Sequence, residues 1–170
     1  MKLLAVSDSH GQTGILEELA RLHGGGQSLL VHCGDSELPA GHEAISPFRT
    51  VRGNCDFDTG FPETLTIKSE AKTIFVTHGH VHNVKMSLLH LSYAAKEEGA
   101  DIVLFGHSHL PGAEMVDGTL FLNPGSISLP RGGHERTYAI IETSGSLISV
   151  RYYGENHNEI ERMNCEFTLS

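Results

Sequence analysis

The sequence predicts a single α/β domain over residues 1–170, with its helices outside the sheet structure. Two observations lead to this prediction. The first part of the chain alternates apolar strand-like runs with helical patterns, as βαβ units do, whereas the remainder consists mostly of short strands separated by turns. A chain of 170 residues with 39% hydrophobic residues can also build a substantial core without disulfides. Two sheets packed face to face is one arrangement that accommodates both parts.

The first half of the chain predicts five strands and one helix. The run Lys2–Val6 is continuously apolar, as in a strand that is covered on both faces. Apolar residues at helical spacing follow, with Thr13 as the predicted N-cap and the glycines at 24–26 as the stop. The other predicted strands cover residues 28–32, 48–51, 65–68 and 72–77.

The second half predicts one further helix and several short strands. The helix covers 84–98 and places Met86, Leu89 and Tyr93 along one side. A buried strand at 101–105 follows it. The segments 112–123, 138–142 and 147–153 read as short strands, and Asp117-Gly118 between two such runs is a hairpin signal.

Composition excludes several classes of function. The formal net charge is −9 and lysine and arginine form no run, which argues against a basic nucleic-acid-binding face. Three cysteines without C-x-x-C spacing make a disulfide framework improbable, and twelve histidines favour nitrogen and oxygen ligands for any metal. Neither a leader-like segment nor a membrane-length apolar run is present, so we expect a cytoplasmic protein.

Five polar clusters, each following an apolar run, carry the chemistry of this chain. Any one of them could be an ordinary turn, since Asp and Gly favour turns after strands. Together they deliver carboxylates, an amide and imidazoles to strand ends, where ligands collect in α/β sheets. We therefore predict a metal site built from these clusters: 8–10 (D-S-H), 34–35 (G-D), 53–56 (G-N-C-D), 78–80 (H-G-H) and 106–109 (G-H-S-H).

In this order, the clusters resemble the calcineurin-like metallophosphoesterase superfamily, whose pattern is D-x-H, G-D, G-N-H-D/E, H and G-H-x-H. The segment S-D-S-H-G at 7–11, the G-N-C-D variant and N-P-G-S at 123–126 are most similar to its small YfcE-like phosphodiesterases of bacteria and archaea. The resemblance covers residues 1–131. It implies two mixed β-sheets packed face to face with helices outside, a four-layer αββα sandwich.

The resemblance also implies two divalent metal ions per chain and hydrolysis of a small phosphodiester by a hydroxide that bridges them. Mn²⁺ is the metal we expect first, and Fe, Zn²⁺ and Ni²⁺ accept the same donors. Among the implied ligands, Asp35, Asn54 and His78 are also the implied catalytic residues. The full set is Asp8, His10 and His109 for one ion, Asn54, His78 and His107 for the other, and Asp35 between them.

Cys55 departs from the wider pattern, because many relatives carry a histidine there that protonates the leaving group or steadies the transition state. A thiol is a weak donor, and losing a positioned general acid typically costs about 10²–10⁴-fold in rate. Three interpretations stay open: substrates with good leaving groups, an undemanding reaction, or a proton from His80 or His134. Asp56 is expected to orient a ligand, and Arg131 is a candidate phosphate contact.

Other functions remain compatible with the sequence. The retromer subunit of the same superfamily indicates that such a domain can serve as a non-catalytic interaction scaffold. A phosphomonoesterase or nucleotide hydrolase would use the same metal ligands, because substrate choice depends on the shape of the pocket. Exposed hairpin edges in the C-terminal part could pair between copies, so a homo-oligomer is also open.

Overall fold

The structure, a computed structural model, describes residues 1–26 and 28–169 and contains two mixed β-sheets, each with one α-helix against it. This architecture confirms the fold class predicted from the sequence. In chain order the elements are β1 (Lys2–Val6), α1 (Thr13–His23), β2 (Leu29–His32), β3 (Arg49–Thr50), β4 (Thr64–Ser69), β5 (Lys72–Thr77), α2 (Leu89–Glu97), β6 (Ile102–Leu104), β7 (Gly112–Val116), β8 (Thr119–Asn123), β9 (Thr137–Ser144), β10 (Leu147–Gly154) and β11 (Cys165–Thr168).

Parallel strands lie side by side within each sheet. The first sheet has the order β11-β10-β9-β1-β2-β3, with β1, β2 and β3 parallel and β9 antiparallel to β1. The second has the order β4-β5-β6-β8-β7, with β5, β6 and β8 parallel. The carboxyl ends of these parallel strands, and the loops that follow them, therefore gather along one edge of each sheet.

The core forms three apolar layers, which explains the uninterrupted apolar strands. Leu3 and Ala5 of β1 pack between the two sheets with residues such as Ile102. Leu4 and Val6 face the other way, against Leu16 and Leu19 of α1. Because β1 is buried on both faces, its sequence cannot alternate between apolar and polar residues. The third layer lies between α2 and the outer face of the second sheet.

Two details of the first helix and hairpin test the sequence prediction. Thr13 is wrong as the N-cap: it is the first helical residue, and Gln12 occupies the N-cap position without a side-chain capping bond. The helix does end before the predicted glycines, with Gly24 as the C-cap. The Asp117-Gly118 hairpin is confirmed, since both residues have positive φ and join the antiparallel strands β7 and β8.

The second helix is shorter than predicted, and its buried side differs. It begins at Leu89, because the chain before it forms turns after Asn83, which has a left-handed φ of 54°. Leu91 and Ala95 are the buried helical residues. The predicted side is exposed: Met86 precedes the helix and is 79% exposed, and Tyr93 is 59% exposed.

The C-terminal strands extend further than the sequence pattern indicates. Strands β9 and β10 pair over eight residues each, and β11 adds to β10 although no strand was predicted there. Its burial alternates between half-buried and exposed positions, as an edge strand with one covered face does. In the part of the chain that the structure describes, no helix is long and apolar enough to cross a membrane.

Candidate metal centre

The loops that follow the parallel strands bring the predicted ligands together. Asp8 comes two residues after β1, Asp35 three residues after β2, and His78 directly after β5. His107 and His109 follow β6. Hydrogen bonds between the loops hold this arrangement: the backbone N–H of Asp8 donates to Gly34 O at 3.0 Å, and that of Gly106 donates to His78 O at 3.0 Å.

Five of the seven predicted ligands sit in left-handed backbone conformations. Left-handed φ values are uncommon outside glycine and concentrate at functional sites, where the fold imposes them. The positive φ angles of this cluster lie between 44° and 65° and belong to Asp8, His10, Asp35, His107 and His109.

One group of donors consists of Asp8, His10 and His109, the set that the family resemblance assigns to one ion. Its ligand atoms all lie within 4.8 Å of one another. Asp8 Oδ1 is 3.0 Å from His109 Nε2 and 4.0 Å from His10 Nε2, and the two imidazole rings have centroids 5.3 Å apart. Three side chains from two distant loops thus converge on one small volume.

A second group contains Asp8, Asp35 and His78, again with donor atoms within 4.8 Å of one another. His78 Nε2 lies 3.2 Å from Asp35 Oδ2 and 3.9 Å from Asp8 Oδ1, so Asp8 and Asp35 both face it. The His107 ring packs 5.1 Å from that of His78. Asn54 is exposed and donates its amide to Cys55 Sγ at 3.4 Å.

Three of these histidines are oriented by a bond to Nδ1. His78 Nδ1 donates to Cys33 O at 2.7 Å, and His109 Nδ1 donates to Leu129 O at 2.7 Å. His10 Nδ1 pairs with the Glu37 carboxylate. Each arrangement directs Nε2 into the cluster with a free lone pair, which is how proteins commonly orient a metal-ligating imidazole.

The charges in the cluster are buried and mutually dependent. Burial alone would raise the pKa of Asp8, but pairing with His109 and His78 and the Ser7 hydroxyl bond hold that pKa below its usual value. Asp35 behaves alike: burial opposes its ionisation, yet the His78 imidazole, whose Nε2 lies 3.2 Å from Asp35 Oδ2, holds its pKa well below the ordinary range. The pKa of His78 is raised, because Asp35 and Asp8 outweigh its burial.

The donors fit a divalent cation. Within the described residues, the ion partners of Asp8 and Asp35 are histidines, and neither pairs with a lysine or arginine. Three buried atoms in the cluster also have no hydrogen-bond partner: Asp8 Oδ1, His10 Nε2 and His78 Nε2. Buried polar atoms are rarely left unpaired, so a metal ion is the ligand this set of carboxylate oxygens and imidazole nitrogens can hold.

Glycines in the clusters are required by close contacts with the carboxylates. A Cβ at Gly53 would lie 2.0 Å from Asp35 Oδ1, and one at Gly106 would lie 2.6 Å from Asp8 Oδ2. Any side chain at either position would push a predicted ligand out of place. Glycine is therefore required at positions 53 and 106 by close packing against the site as well as by the turns.

Asp56 holds the loop that carries Asp35. Its carboxylate accepts bonds from the backbone N–H groups of Asp35 (2.8 Å), Glu37 (2.7 Å) and Gly53 (2.7 Å). It also accepts the Ser36 hydroxyl at 3.1 Å. These four bonds leave it oriented toward the main chain, so Asp56 links the loops after β2 and β3.

His32 is a site residue that sequence reasoning missed, since it lies outside the family motifs. It is fully buried, its Nδ1 accepts the Gly34 N–H at 3.1 Å, and its Nε2 lies 2.9 Å from Ser9 Oγ. Burial lowers the pKa of His32 to about 4, so the ring is neutral and links the loops of Asp8 and Asp35. Its position at the end of β2, two residues before Gly34, is the sequence feature that could have identified it.

The remaining four accessory candidates occupy different positions. Cys55 Sγ lies within 4.8 Å of donor atoms of His10 and Asp35, and burial with the charge of Asp35 raises the pKa of its thiol to about 11. The His80 ring is 5.4 Å from His78. Arg131 is exposed, and its backbone N–H donates to His109 O at 3.2 Å. His134 is exposed in the same loop.

Comparison with known proteins defines the class. A model of the calcineurin-like phosphoesterase superfamily domain matches residues 1–146, so the chain belongs to that superfamily. It is a metallophosphoesterase-family protein, and membership of this family supports a phosphoester hydrolase that depends on divalent metal ions.

Three relatives illustrate the likeness. A probable metallophosphoesterase of Bacillus subtilis, YsnB, is 44% identical over 99% of this chain and 100% of its own length. The phosphodiesterase YfcE of Escherichia coli K12 is 30% identical over 84% of this chain and 88% of its own. A predicted phosphoesterase of Streptococcus pneumoniae has a crystal structure with a TM-score of 0.95 and 38% identity, covering 98% of this chain and 97% of that one.

Proposed function

We propose that this protein is a phosphodiesterase whose centre holds two divalent metal ions. The observation that carries the proposal is the cluster of Asp8, Asp35, His10, His78 and His109, in which three buried donor atoms have no hydrogen-bond partner and, among the described residues, no lysine or arginine pairs with either carboxylate. The preference for diesters is supported by the likeness to YfcE, which is named a phosphodiesterase.

The proposed ligands are those implied by the family resemblance, and Asp8 has one additional contact. Asp8, His10 and His109 would hold one ion, Asn54, His78 and His107 the other, and Asp35 would contact both. Asp8 Oδ1 also lies 3.9 Å from His78 Nε2. Asp8 therefore faces the proposed ligands of both ions. When bound, the ions would lower the pKa of the attacking water and neutralise charge on the phosphoryl oxygens.

The protein's own residues would fix the reacting groups. Asp35 is held by the Cys55 N–H, which donates to Oδ1 at 2.8 Å, and its Oδ2 faces His78 Nε2 at 3.2 Å. Its orientation therefore does not depend on substrate, as preorganised electrostatic catalysis requires. His80, whose ring centroid lies 5.4 Å from that of His78, is the proposed candidate to give a proton to a departing alkoxide.

Turnover of bis(p-nitrophenyl) phosphate and p-nitrophenyl phosphate on one preparation tests the proposal. We expect hydrolysis with Mn²⁺, a higher kcat/KM for the diester, loss of activity with a chelator and recovery on adding metal. Full activity in the chelated, metal-free protein would contradict a metal-dependent mechanism. A higher kcat/KM for the monoester would contradict the phosphodiesterase assignment alone.

Asp35→Asn is the matching variant, with Asp117→Asn as its control. Both positions have left-handed φ values, 55° and 49°, and asparagine tolerates that conformation as aspartate does. We expect Asp35→Asn to lose activity and Asp117→Asn, in the β7–β8 turn, to keep it. No hydrolysis by the wild type at any metal concentration would instead favour an interaction scaffold.

A further inference from the structure

A groove on the outer face of the second sheet lies beside the candidate metal centre. It has a volume of about 580 Å³ and runs between the 84–88 turns and the β7–β8 hairpin. This volume is within the range of sites that bind small molecules, roughly 300–1,000 Å³. The groove is therefore large enough for an organic group the size of an aromatic ring system.

The groove is continuous with the site through the loop after β6. Ser108, which lines the groove, stands between the predicted ligands His107 and His109. Asn123, also in the lining, donates its amide to Gly106 O at 2.9 Å and to Ser108 Oγ at 3.0 Å. The loop after β6 thus contributes residues both to the candidate metal centre and to the groove.

The lining combines an apolar floor with positive charge near the centre. Val84, Leu88, Phe105 and Phe121 form the floor and belong to the apolar layer beneath α2. Lys85 and Arg131 border the groove, and the Arg131 backbone is bonded to that of His109.

Charge along the groove indicates which end faces the phosphate. Gly112 pairs with Asn123 near the site, whereas Glu114, the one acidic residue among the described residues of the lining, lies two residues further along β7. The chain has a formal net charge of −9. The positive side chains of Lys85 and Arg131, at the end of the groove near the site, would therefore attract an anionic phosphodiester to that end.

We propose that this groove binds one ester group of the substrate, and that the substrate class is phosphodiesters with a bulky aromatic or apolar arm. The inference rests on the proposed function and adds a preference to it. The phosphate would lie at the metal centre and the arm would extend along the floor of Phe105 and Phe121, where burial of its apolar surface favours binding.

Gly112 offers a way to fill the groove without disturbing the site. A Cβ there meets nothing within 4 Å, its backbone φ is ordinary, and the residue lines the groove. Gly112→Trp therefore places an indole in the groove. Gly41→Trp is the matched control, because Gly41 has equally open surroundings but lies outside the groove. The chain contains no tryptophan, so each variant's emission reports the environment of its single indole.

The test measures binding of two slowly hydrolysed anions to manganese-loaded protein by calorimetry. The probes are methyl methylphosphonate and the methyl ester of 1-naphthylmethylphosphonate, which differ only in the aromatic arm. We expect the wild type and Gly41→Trp to bind the naphthyl probe at least about tenfold more tightly than they bind methyl methylphosphonate, because the naphthyl group fills an apolar pocket. Gly112→Trp should lose that ratio, keep its affinity for methyl methylphosphonate and show blue-shifted emission.

Equal affinities for the two probes in the wild type, or an unchanged ratio in Gly112→Trp, would overturn the groove assignment. A change of oligomeric state in Gly112→Trp with an unchanged ratio would identify the groove as a contact between copies instead. If Gly112→Trp does not fold, Leu88→Gln makes the floor polar and should lower the ratio. Binding of neither probe, together with no diester turnover, would overturn the proposed function itself.

Discussion

Acidic residues are used in opposite ways at two places along one edge of the first sheet. After β1, Asp8 is fully buried among histidines and leaves one oxygen without a hydrogen bond. Directly after β10, Glu155 is exposed and forms a pair with Arg136, which precedes β9, at 2.8 Å. The exposed pair contributes little because water screens it, whereas the buried cluster is stable only with opposite charge nearby. The difference is the reason why we expect the buried carboxylates, and not the exposed pair, to take part in the proposed reaction.

The largest expected effect separates these two regions directly. Asp8→Asn removes a buried carboxylate that faces His10, His78 and His109, so we expect kcat/KM for the diester to fall at least about a thousandfold. Steady-state kinetics of the purified variant measures it, with circular dichroism to verify folding. Activity within tenfold of the wild type would place the reaction away from this cluster.

Asp56→Asn should have a smaller effect, because Asp56 acts through the Asp35 loop. Residues that orient metal ligands typically affect metal affinity or activity by about 10–100-fold when replaced. Asp58→Asn is the matched control, since Asp58 also accepts backbone N–H groups, from Ala40 and Gly60, but not from the Asp35 loop. Equal manganese affinities of the two variants, measured by calorimetry, would assign Asp56 to stability alone.

Cys55→His tests what the departure from the family pattern costs. A histidine at this position can donate a proton that the thiol supplies poorly, so we expect about a tenfold gain or more for an ester with an alkyl leaving group. The p-nitrophenyl ester, whose leaving group needs no proton, should change less. Parallel kinetics on the two esters gives the ratio, and an unchanged ratio would indicate that another residue, such as His80, already protonates the leaving group.

The smallest expected effect belongs to the exposed pair. Glu155→Gln should shift the Tm by less than about 2 °C and leave diester turnover unchanged, because exposed ion pairs are weak. Thermal unfolding at low and high salt measures this. A large loss of stability would mean that β9 and β10 depend on the Arg136–Glu155 ion pair more than the exposure of this pair indicates.

The sequence predicts the strands of this fold well because buried parallel strands leave an uninterrupted apolar signal, as in Lys2–Val6. It also places Asp8, His10, Asp35, His78 and His109 in loops after strands, and the donor atoms of these five residues do converge in groups. The start of α2 was not predictable, because tertiary packing of Leu91 and Ala95 overrides the pattern that begins at residue 84. Strand β11 was missed because its edge position leaves only a weak alternation.

Parts of the site depend on contacts between distant loops and leave no local pattern. The bond from His109 Nδ1 to Leu129 O and the link of His32 to Ser9 exist only once the sheets have formed. The position of Cys55 beside His10 and Asp35 is likewise a tertiary property. Motif spacing identifies the donors, and the fold decides how each donor is oriented.

Anomalous diffraction from crystals grown with manganese tests the central claim most directly. We expect two manganese peaks per chain, one beside Asp8, His10 and His109 and the other beside Asn54, His78 and His107, with Asp35 next to both. Peaks at other residues, or no manganese in this cluster, would contradict it.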